Sequence, residues 1–256
     1  MVELQKKYQI GVRRFGLINW VGFKSLWLKE CNRFIAVWQQ TLLSPLVSSL
    51  LFLSVLSLAI GNDRGDVLGH TFIVFLAPGL IAMSILTQSF SHSVSSLMIS
   101  KIQGNIVDML YAPLSAFEVT MAIILAAITR SFLIAIISIA VFSFIIEIPI
   151  SNIFYIFIFS FLSSFILGSL GFITGLWAEK FDHTATITNF VITPLSFLSG
   201  AFYSIEKLPE IFQTISNLNP FFYMIDGFRF GFLGVSDGPI ITGIVYLTIL
   251  SFIIGF

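Results

Sequence analysis

The sequence predicts an all-α, polytopic membrane protein with six transmembrane helices, an N-terminal amphipathic interfacial helix and re-entrant helices before the last span. Of its 256 residues, 57% are hydrophobic and only 10% are charged, a balance that soluble domains do not show. Apolar stretches of about 20 residues, the length of a spanning helix, recur between short polar breaks. We expect residues 1–256 to form a single transmembrane domain.

Residues 1–41 precede the first span and contain a predicted amphipathic helix that lies in the membrane plane. The helix either only anchors the chain, or its polar face also touches a soluble partner. The segment lacks the apolar core and cleavage site of a signal peptide, so we expect the N-terminus to be retained. The apolar face is Trp20, Phe23, Trp27, Cys31, Phe34 and Trp38, and the polar face is Ser25, Lys29, Asn32 and Arg33.

Six apolar segments have the length and composition of spanning helices. The first carries no charge and ends at the turn signal Gly61-Asn62-Asp63-Arg64-Gly65-Asp66. The second contains Pro78-Gly79 and the fifth contains Pro194, which predict a kink and a break. The predicted spans are approximately residues 42–60, 72–92, 119–146, 153–177, 185–200 and 240–256.

The segment between the second and third spans, about residues 104–114, is too apolar for a solvated linker. An apolar face on a short helix at a membrane edge usually has a partner that buries it. The alternative is an interfacial turn that packs on its own bundle. The predicted face consists of Ile106, Met109, Leu110 and Pro113.

Two patterns predict local structure. Ser115 and Glu118 fit the S-x-x-E capping box at the start of the third span. Small residues on one face of the fourth span allow another helix backbone to approach closely. They are Ser164, Gly168, Gly171 and Gly175.

Residues 201–238 are too polar for a clean span yet rich in aromatic side chains. Short re-entrant or interfacial helices have this composition. The alternative is a loose periplasmic loop.

The positions of the charges predict the orientation. Seven of the thirteen Lys and Arg residues precede the first span, so the positive-inside rule places the N-terminus in the cytoplasm. Lys101 and Lys180 then also lie inside, whereas Arg64, Lys207 and Arg229 lie outside. Arg130 falls within the third span, where it either forms a structural pair, for example with Glu118 or Asp108, or contacts substrate.

Several kinds of chemistry find no support. The net charge of zero predicts no nucleic-acid partner. His70, His92 and His183 lie far apart without ligands at metal-binding spacing. The phosphate-binding loop of ATPases is missing, so the chain cannot hydrolyse ATP by that route and we do not expect an enzyme. Cys31, the single cysteine, is interpreted as an apolar helix residue.

The sequence resembles the permease subunit of ABC-2 type exporters, the group that includes drug, lipo-oligosaccharide and polysaccharide export systems. The likeness covers nearly the whole chain, and its last stretch is the most specific. The stretches that carry it are Trp38 to Pro45, Gly104 to Leu114, and Leu208-Pro209 followed by Asn219 to Arg229.

The resemblance implies a mechanical role for the two cytoplasmic elements. In this family the amphipathic connecting helix and a coupling helix, here about residues 104–114, dock on a separate ATPase subunit. That subunit binds ATP and Mg, and the permease itself holds no cofactor. The implied docking residues are Gly104, Asp108, Leu110, Tyr111, Pro113, Lys29 and Arg33.

The resemblance also implies two permeases and two ATPases in a bacterial inner membrane, with the permeases as a homodimer in the lipid bilayer. A groove lined by the first, second and fifth spans would accept an amphipathic or lipid-linked substrate. Implied groove residues are Ser48, Ser49, Thr87, Gln88 and Asn189, and the outer re-entrant region carries Pro209, Asn219, Pro220, Tyr223 and Arg229.

The sequence departs from the family pattern at two places. Ser204 stands where relatives commonly have proline, and the sequence ends at Phe256 without the basic tail that we expect. An ion-coupled secondary carrier is the first alternative, but it would show ionisable groups near mid-membrane, where only Arg130 comes close. A lipid-modifying enzyme would require acidic or histidine clusters at the membrane face. Substrate identity and the choice between homodimer and heterodimer stay open.

Overall fold

The computed structural model describes residues 18–60 and 65–255, and over these residues the chain is helical without any β-strand. The predicted all-α class is confirmed. Five basic residues used for the orientation and the first four residues of the predicted turn lie outside the described residues. The basic residues are Lys6, Lys7, Arg13, Arg14 and Arg64, and the turn residues are Gly61 to Arg64.

Helix α1 spans Trp20–Ala36. Asn19 caps its N-terminus, because the side-chain oxygen accepts a hydrogen bond from Gly22 N at 3.0 Å. The inward face differs from the predicted stripe, since Trp20 and Trp38 are exposed while the carboxylate of Glu30 is buried. The buried residues of α1 are Leu26, Glu30, Cys31 and Phe34.

The first apolar segment begins with a π-helical turn, Gln39–Leu43, and continues as α2, Ser44–Ile60. Most of its surface is not covered by the rest of the chain. Helix α3 follows as Phe72–Ile102.

The end of α3 corrects the predicted boundary at residue 92, because the helix continues ten residues further through the serine-rich segment. Serine favours helix ends because its hydroxyl can bond nearby backbone groups in non-helical conformations. Here the hydroxyl of Ser100 donates to the carbonyl of Ser96 at 2.8 Å within the same helix. Four of the serines are buried against neighbouring helices, and this packing overrides their weak helix propensity. They are Ser89, Ser93, Ser96 and Ser100.

Helix α4 spans Ile106–Tyr111 and α5 spans Ala116–Ser143. The capping box of Ser115 and Glu118 at the start of α5 is confirmed. Helix α5 ends three residues before the predicted limit of the third span. Helix α6 spans Ile153–Trp177, as predicted for the fourth span.

The small residues on α6 bring this helix against α3. A Cβ atom on Gly171 would overlap the backbone carbonyl of Phe90, and one on Gly175 would lie 3.0 Å from Cβ of Leu97. Ser164, Gly168, Gly171 and Gly175 are all buried. The predicted packing role of this face is confirmed.

The fifth apolar segment is one continuous helical stretch with an irregular middle. Helix α7, Phe181–Ile187, leads into a π-helical turn, Thr188–Ile192, and then into α8, Thr193–Phe197. The stretch is displaced from the predicted 185–200. Pro194 does not break it, because the proline closely follows the π-helical turn, where the regular α-helical hydrogen-bond pattern is already interrupted.

The region before the last helix contains a 3₁₀ turn, Ile205–Lys207, and two helices, α9 (Glu210–Leu218) and α10 (Pro220–Leu233). Helix α11, Ile240–Gly255, ends the described chain. Ser151 N and Asn152 N donate to the carbonyls of Phe232 and Gly231, which ties α10 to the start of α6.

Within the described residues, four helical segments are long and apolar enough to cross a membrane: Gln39–Ala59, Phe72–Ile102, Ala116–Ser143 and Ile153–Trp177. Helix α11 has 16 residues, or roughly 24 Å at about 1.5 Å per residue. A multi-helix membrane protein is thus confirmed, whereas the count of six spans and the re-entrant path of α9 and α10 remain predictions.

The helices define two ends of the bundle. One end, here named the α1 end, holds α1, α4, the last turns of α3 and the first turns of α5. There the ammonium group of Lys101 donates to the carbonyls of Leu176 and Ala178 at 2.6 and 2.9 Å, which caps the C-terminus of α6. The opposite end holds residues 65–71, 144–152 and 198–239.

We predict that Gly171→Ala destabilises the protein by about 1–3 kcal/mol, because the added methyl group forces α6 away from the Phe90 carbonyl. The matched control is Gly65→Ala, where nothing lies within 4 Å of the new methyl group. Thermal unfolding of both variants in the same detergent measures the effect. Equal midpoints for the two variants would show that α3 and α6 are not closely packed at this point.

Candidate functional site

Helix α4 presents apolar side chains to solvent at the α1 end. Leu110 and Tyr111 are 76% and 86% exposed, and Met109 on the opposite side of the helix is buried. Gly104 precedes the helix with φ of 77°, a left-handed conformation that glycine adopts without steric cost. This turn separates α4 from the end of α3.

A groove of about 510 Å³ lies between α1 and α4. Its floor is apolar, and Lys29 and Asp108 supply charges of opposite sign to its lining. The structure therefore brings Lys29, Asp108 and Pro113 together, with Leu110 and Tyr111 on the adjacent exposed surface. The lining residues are Asn19, Gly22, Ser25, Leu26, Lys29, Asn105, Asp108, Met109, Ala112, Pro113 and Leu114.

Arg33 lies elsewhere, because its guanidinium is turned toward α3 rather than toward this groove. It donates to the hydroxyl of Ser95 and to the carbonyl of His92, both at 3.4 Å. It also forms an ion pair with Glu30 at 2.9 Å. Arg33 thus connects α1 to the bundle, whereas Lys29 remains 56% exposed.

The carboxylate of Glu30 is the main polar contact between α1 and α3. Its Oε2 accepts from Ser96 at 2.8 Å and from Arg33 at 2.9 Å. Lys29 lies 3.5 Å from Oε1, and the ring of His92 lies 3.9 Å from Oε2. Because Glu30 is fully buried, these partners replace the water that a carboxylate would otherwise bind.

A second carboxylate attaches α1 to α5. Glu118 accepts from the backbone N–H of Asn19 at 2.5 Å and from the backbone N–H of Ser115 at 2.6 Å. The side-chain amide of Asn19 in turn donates to the carbonyl of Pro113 at 3.2 Å. The start of α1, the end of the α4 segment and the start of α5 are therefore joined by one set of hydrogen bonds.

The predicted path residues line two adjoining grooves along α3. The first groove, about 260 Å³, lies between α2 and α3 and contains Ser48, Ser49, Thr87 and Gln88. The second, about 280 Å³, lies between α3 and the α7 stretch and contains Thr87 and Asn189. Thr87 lines both grooves, so the structure brings all five predicted residues to one side of the bundle.

Arg130 lies behind the first groove. Its Nη2 donates to the side-chain oxygen of Gln88 and to the carbonyl of Thr41. The suggested pairing with Glu118 is wrong, because twelve helical residues separate the two side chains by about 18 Å along the helix axis. Asp108 is likewise exposed on α4.

Charged side chains of the opposite end form a buried cluster around Arg229. This guanidinium lies 3.9 Å from the centre of the Phe75 ring on α3 and donates to the carbonyls of Gly200 and Ala201 at 2.8 and 3.2 Å. Asp237 lies 4.0 Å away. Arg229 therefore connects residues 200–201 to α3.

Other predicted residues of this region also have structural contacts. Asn219 caps α10 by accepting from Phe221 N at 3.0 Å, and Pro220 occupies the first position of that helix. Pro209 precedes α9 as its N-cap residue. The ring of Tyr223 packs on Tyr246 of α11 with a centroid distance of 5.3 Å.

Sequence reasoning missed Glu30 and His92. A signal was present for Glu30, which lies four residues after Leu26 and four before Phe34, and so falls on the apolar face of α1. Burial raises the pKa of the Cys31 thiol on the same face. Among residues 18–60 and 65–255, no three side chains of His, Cys, Asp or Glu are grouped to hold a metal ion.

Comparisons of the sequence with known proteins agree on one family. The model of the ABC-2 type transporter family matches residues 21–233. The inner membrane transport permease YadH of Escherichia coli K12 is 34% identical over 237 residues, which are 92% of this chain and 93% of YadH. Nodulation protein J of Neorhizobium galegae is 26% identical over 220 residues, which are 86% of this chain and 83% of that protein.

The match covers residues 21–36 of α1, all of α4, both grooves along α3 and Arg229, whereas Asp237 lies beyond it. In this family a separate ATPase subunit carries out ATP hydrolysis, which agrees with the missing phosphate-binding loop. The chain therefore belongs to the ABC-2 type transporter family and is a multi-pass inner-membrane permease of an ABC exporter, not an enzyme.

Proposed function

We propose that the ATPase subunit docks on the α1–α4 groove and the exposed face of α4, and that the two grooves along α3 form the export path. The observation that carries this proposal is the exposure of Leu110 and Tyr111 beside the charged groove. Large apolar side chains that are as exposed as these two usually mark a surface that a partner buries. ATP and Mg would be bound by the ATPase, with no cofactor in this chain.

The contacts of α1 support a mechanical link from the docking surface to the path. Glu30 and Arg33 hold α1 on α3 at Ser95 and Ser96. Ser95 also lines the second groove, so a displacement of α1 would be transmitted to the groove wall. This arrangement suits alternating access, in which ATP binding shifts the population between inward-open and outward-open states.

The distribution of basic residues supports an α1 end in the cytoplasm. Lys24, Lys29, Lys101 and Lys180 lie at this end, whereas Lys207 and Arg229 lie at the opposite end. With this orientation, six crossings place both chain ends in the cytoplasm. Helices α9 and α10 would then be the outer re-entrant elements.

A second copy of the permease is proposed to face α2 and the α7 stretch. Helix α2 exposes Leu51 and Val55, and the π-helical turn exposes Phe190. Lipid chains satisfy such apolar side chains, but they do not satisfy Ser44, Ser48 and the other polar residues of the first groove. A homodimer would enclose these polar residues around the path.

The lining of the grooves supports an amphipathic or lipid-linked substrate. Hydroxyl and amide groups such as Ser48, Gln88 and Asn189 alternate with apolar walls that include Phe52 and Phe90. Polar groups on one wall fit a head group, and the open apolar side admits a hydrocarbon chain from the bilayer.

We predict that Leu110→Asp and Tyr111→Arg each weaken association with the ATPase about tenfold or more, because a docking anchor typically contributes ~2 kcal/mol. Membrane insertion should be unchanged, since both side chains lie outside the bundle core. Co-purification and permease-dependent ATP hydrolysis measure the effect.

The matched control for this prediction is Leu218→Asp, because Leu218 is 73% exposed at the opposite end. It should retain the ATPase. Normal association of the Leu110 and Tyr111 variants would place the docking surface elsewhere.

We predict that cysteine at position 207 reacts with a membrane-impermeant maleimide in intact spheroplasts, whereas cysteine at position 179 reacts only after lysis. Lys207→Cys and Glu179→Cys are both at exposed positions, at opposite ends of the bundle. Cys31→Ser serves as the background because Cys31 is the single native cysteine. The reverse labelling pattern would invert the orientation and remove the cytoplasmic docking surface.

A further inference from the structure

Arg130 is a buried cation in the middle of α5, with 6% of its surface exposed. Its recorded hydrogen bonds go to neutral groups, namely the side-chain oxygen of Gln88 and the carbonyl of Thr41. Its Nε atom has no hydrogen-bond partner. A guanidinium inside a membrane bundle is costly unless a carboxylate, phosphate or similar group compensates its charge.

The other arginines of the described chain have such compensation. Arg33 pairs with Glu30, and Arg229 lies near Asp237. Arg130 forms no ion pair with any residue in the ranges 18–60 and 65–255. The group that compensates the positive charge of Arg130 is therefore not a side chain of the described residues.

Gln88 separates Arg130 from the first groove. Gln88 is a lining residue of the groove and Arg130 is not, while the side-chain oxygen of Gln88 accepts from the guanidinium. An amide oxygen carries only a partial negative charge, whereas an anionic oxygen in the same position would form a charge-assisted hydrogen bond of roughly twice the strength. Gln88 thus occupies the position that an anion in the groove would take.

The depth of Arg130 fits a head group rather than a hydrocarbon chain. Gln88 lies about 24 Å along α3 from Phe72, and Thr41 lies about 27 Å from the far end of the first span, at about 1.5 Å per residue. A hydrocarbon core is about 30 Å thick. Along α5, Arg130 itself lies about 20 Å from Ser143. With the α1 end in the cytoplasm, Arg130 therefore lies in the inner half of that core.

We propose that Arg130 is an anion-binding residue of the export path and that the transported amphiphile carries a phosphate or carboxylate head group. The anion displaces the Gln88 oxygen from the guanidinium, and the hydroxyl-rich wall around Ser84 and Thr87 contacts the rest of the head group. This inference rests on the proposed function of the groove as the path.

The test measures ligand binding to the purified permease in phosphatidylcholine nanodiscs by calorimetry, with empty discs as the blank. The probes are dodecyl phosphate, dodecanoate and the neutral dodecyl glucoside, which share one chain length. We expect at least one of the anionic probes to bind ten times more tightly than the glucoside. The more tightly bound anion identifies the head-group class.

Three variants assign the effect. Arg130→Gln should abolish the preference for anions, while Lys207→Gln, which removes one positive charge from the opposite end, should leave it unchanged. Gln88→Ala should raise the affinity for the anion several-fold, because the competing oxygen is gone. If Gln88 instead only positions Arg130, Gln88→Ala lowers the affinity for the anion, and that result would count against the proposal. This test remains valid even if the Arg130→Gln variant does not fold.

Equal binding of the three probes, or an anion preference that survives Arg130→Gln, would overturn the proposal. Nanodiscs that contain 20% phosphatidylglycerol distinguish a transported molecule from a resident lipid. If dodecyl phosphate no longer binds in these discs, the site belongs to a bilayer lipid, and the assignment to the transported substrate is overturned. No ATPase is present in this assay. A negative result here therefore leaves the docking surface standing, and a failed docking test leaves these affinities unchanged.

Discussion

The buried carboxylate of Glu30 constrains the position of α1 relative to α3. A carboxylate without water or partners costs several kcal/mol in a protein interior. Ser96 and Arg33 supply those partners, and Arg33 is itself hydrogen-bonded to Ser95. Arg33 lies on α1 itself, so Glu30 would keep this ion pair if α1 left α3. It would lose the hydroxyl of Ser96, and Arg33 would lose its bonds to Ser95 and to the carbonyl of His92. The two helices are therefore expected to move as one body.

Helix α3 carries this constraint to the rest of the molecule. Its middle supplies Thr87 to both grooves, and the same helix packs on Gly171 of α6 through its backbone. Near its start, Phe75 contacts Arg229 and so connects α3 to the opposite end of the bundle. The proposed path therefore lies along a helix that contacts both α1, which borders the proposed docking surface, and the Arg229 cluster.

Local patterns predicted α6, the capping box and the small-residue face well, because each depends on neighbours in the chain. The sequence did not reveal that α3 continues through its serines, since burial against other helices decides that. Periodicity placed Arg33 on the polar face of α1, and the family resemblance implied that this face docks on the ATPase. The inward turn of Arg33 depends on Glu30 and Ser95, which tertiary packing brings together.

The distance between α1 and α3 during the ATP cycle tests this account most directly. Double electron–electron resonance measures the distances between pairs of spin labels in the assembled transporter. The labels are placed at three exposed positions in the Cys31→Ser background, namely Asn32 on α1, Ser91 on α3 and Thr186 on α7. A constant distance from Asn32 to Ser91, together with a changing distance from Asn32 to Thr186 when ATP binds, is the predicted result. A distance from Asn32 to Ser91 that changes with ATP would contradict the joint movement of α1 and α3.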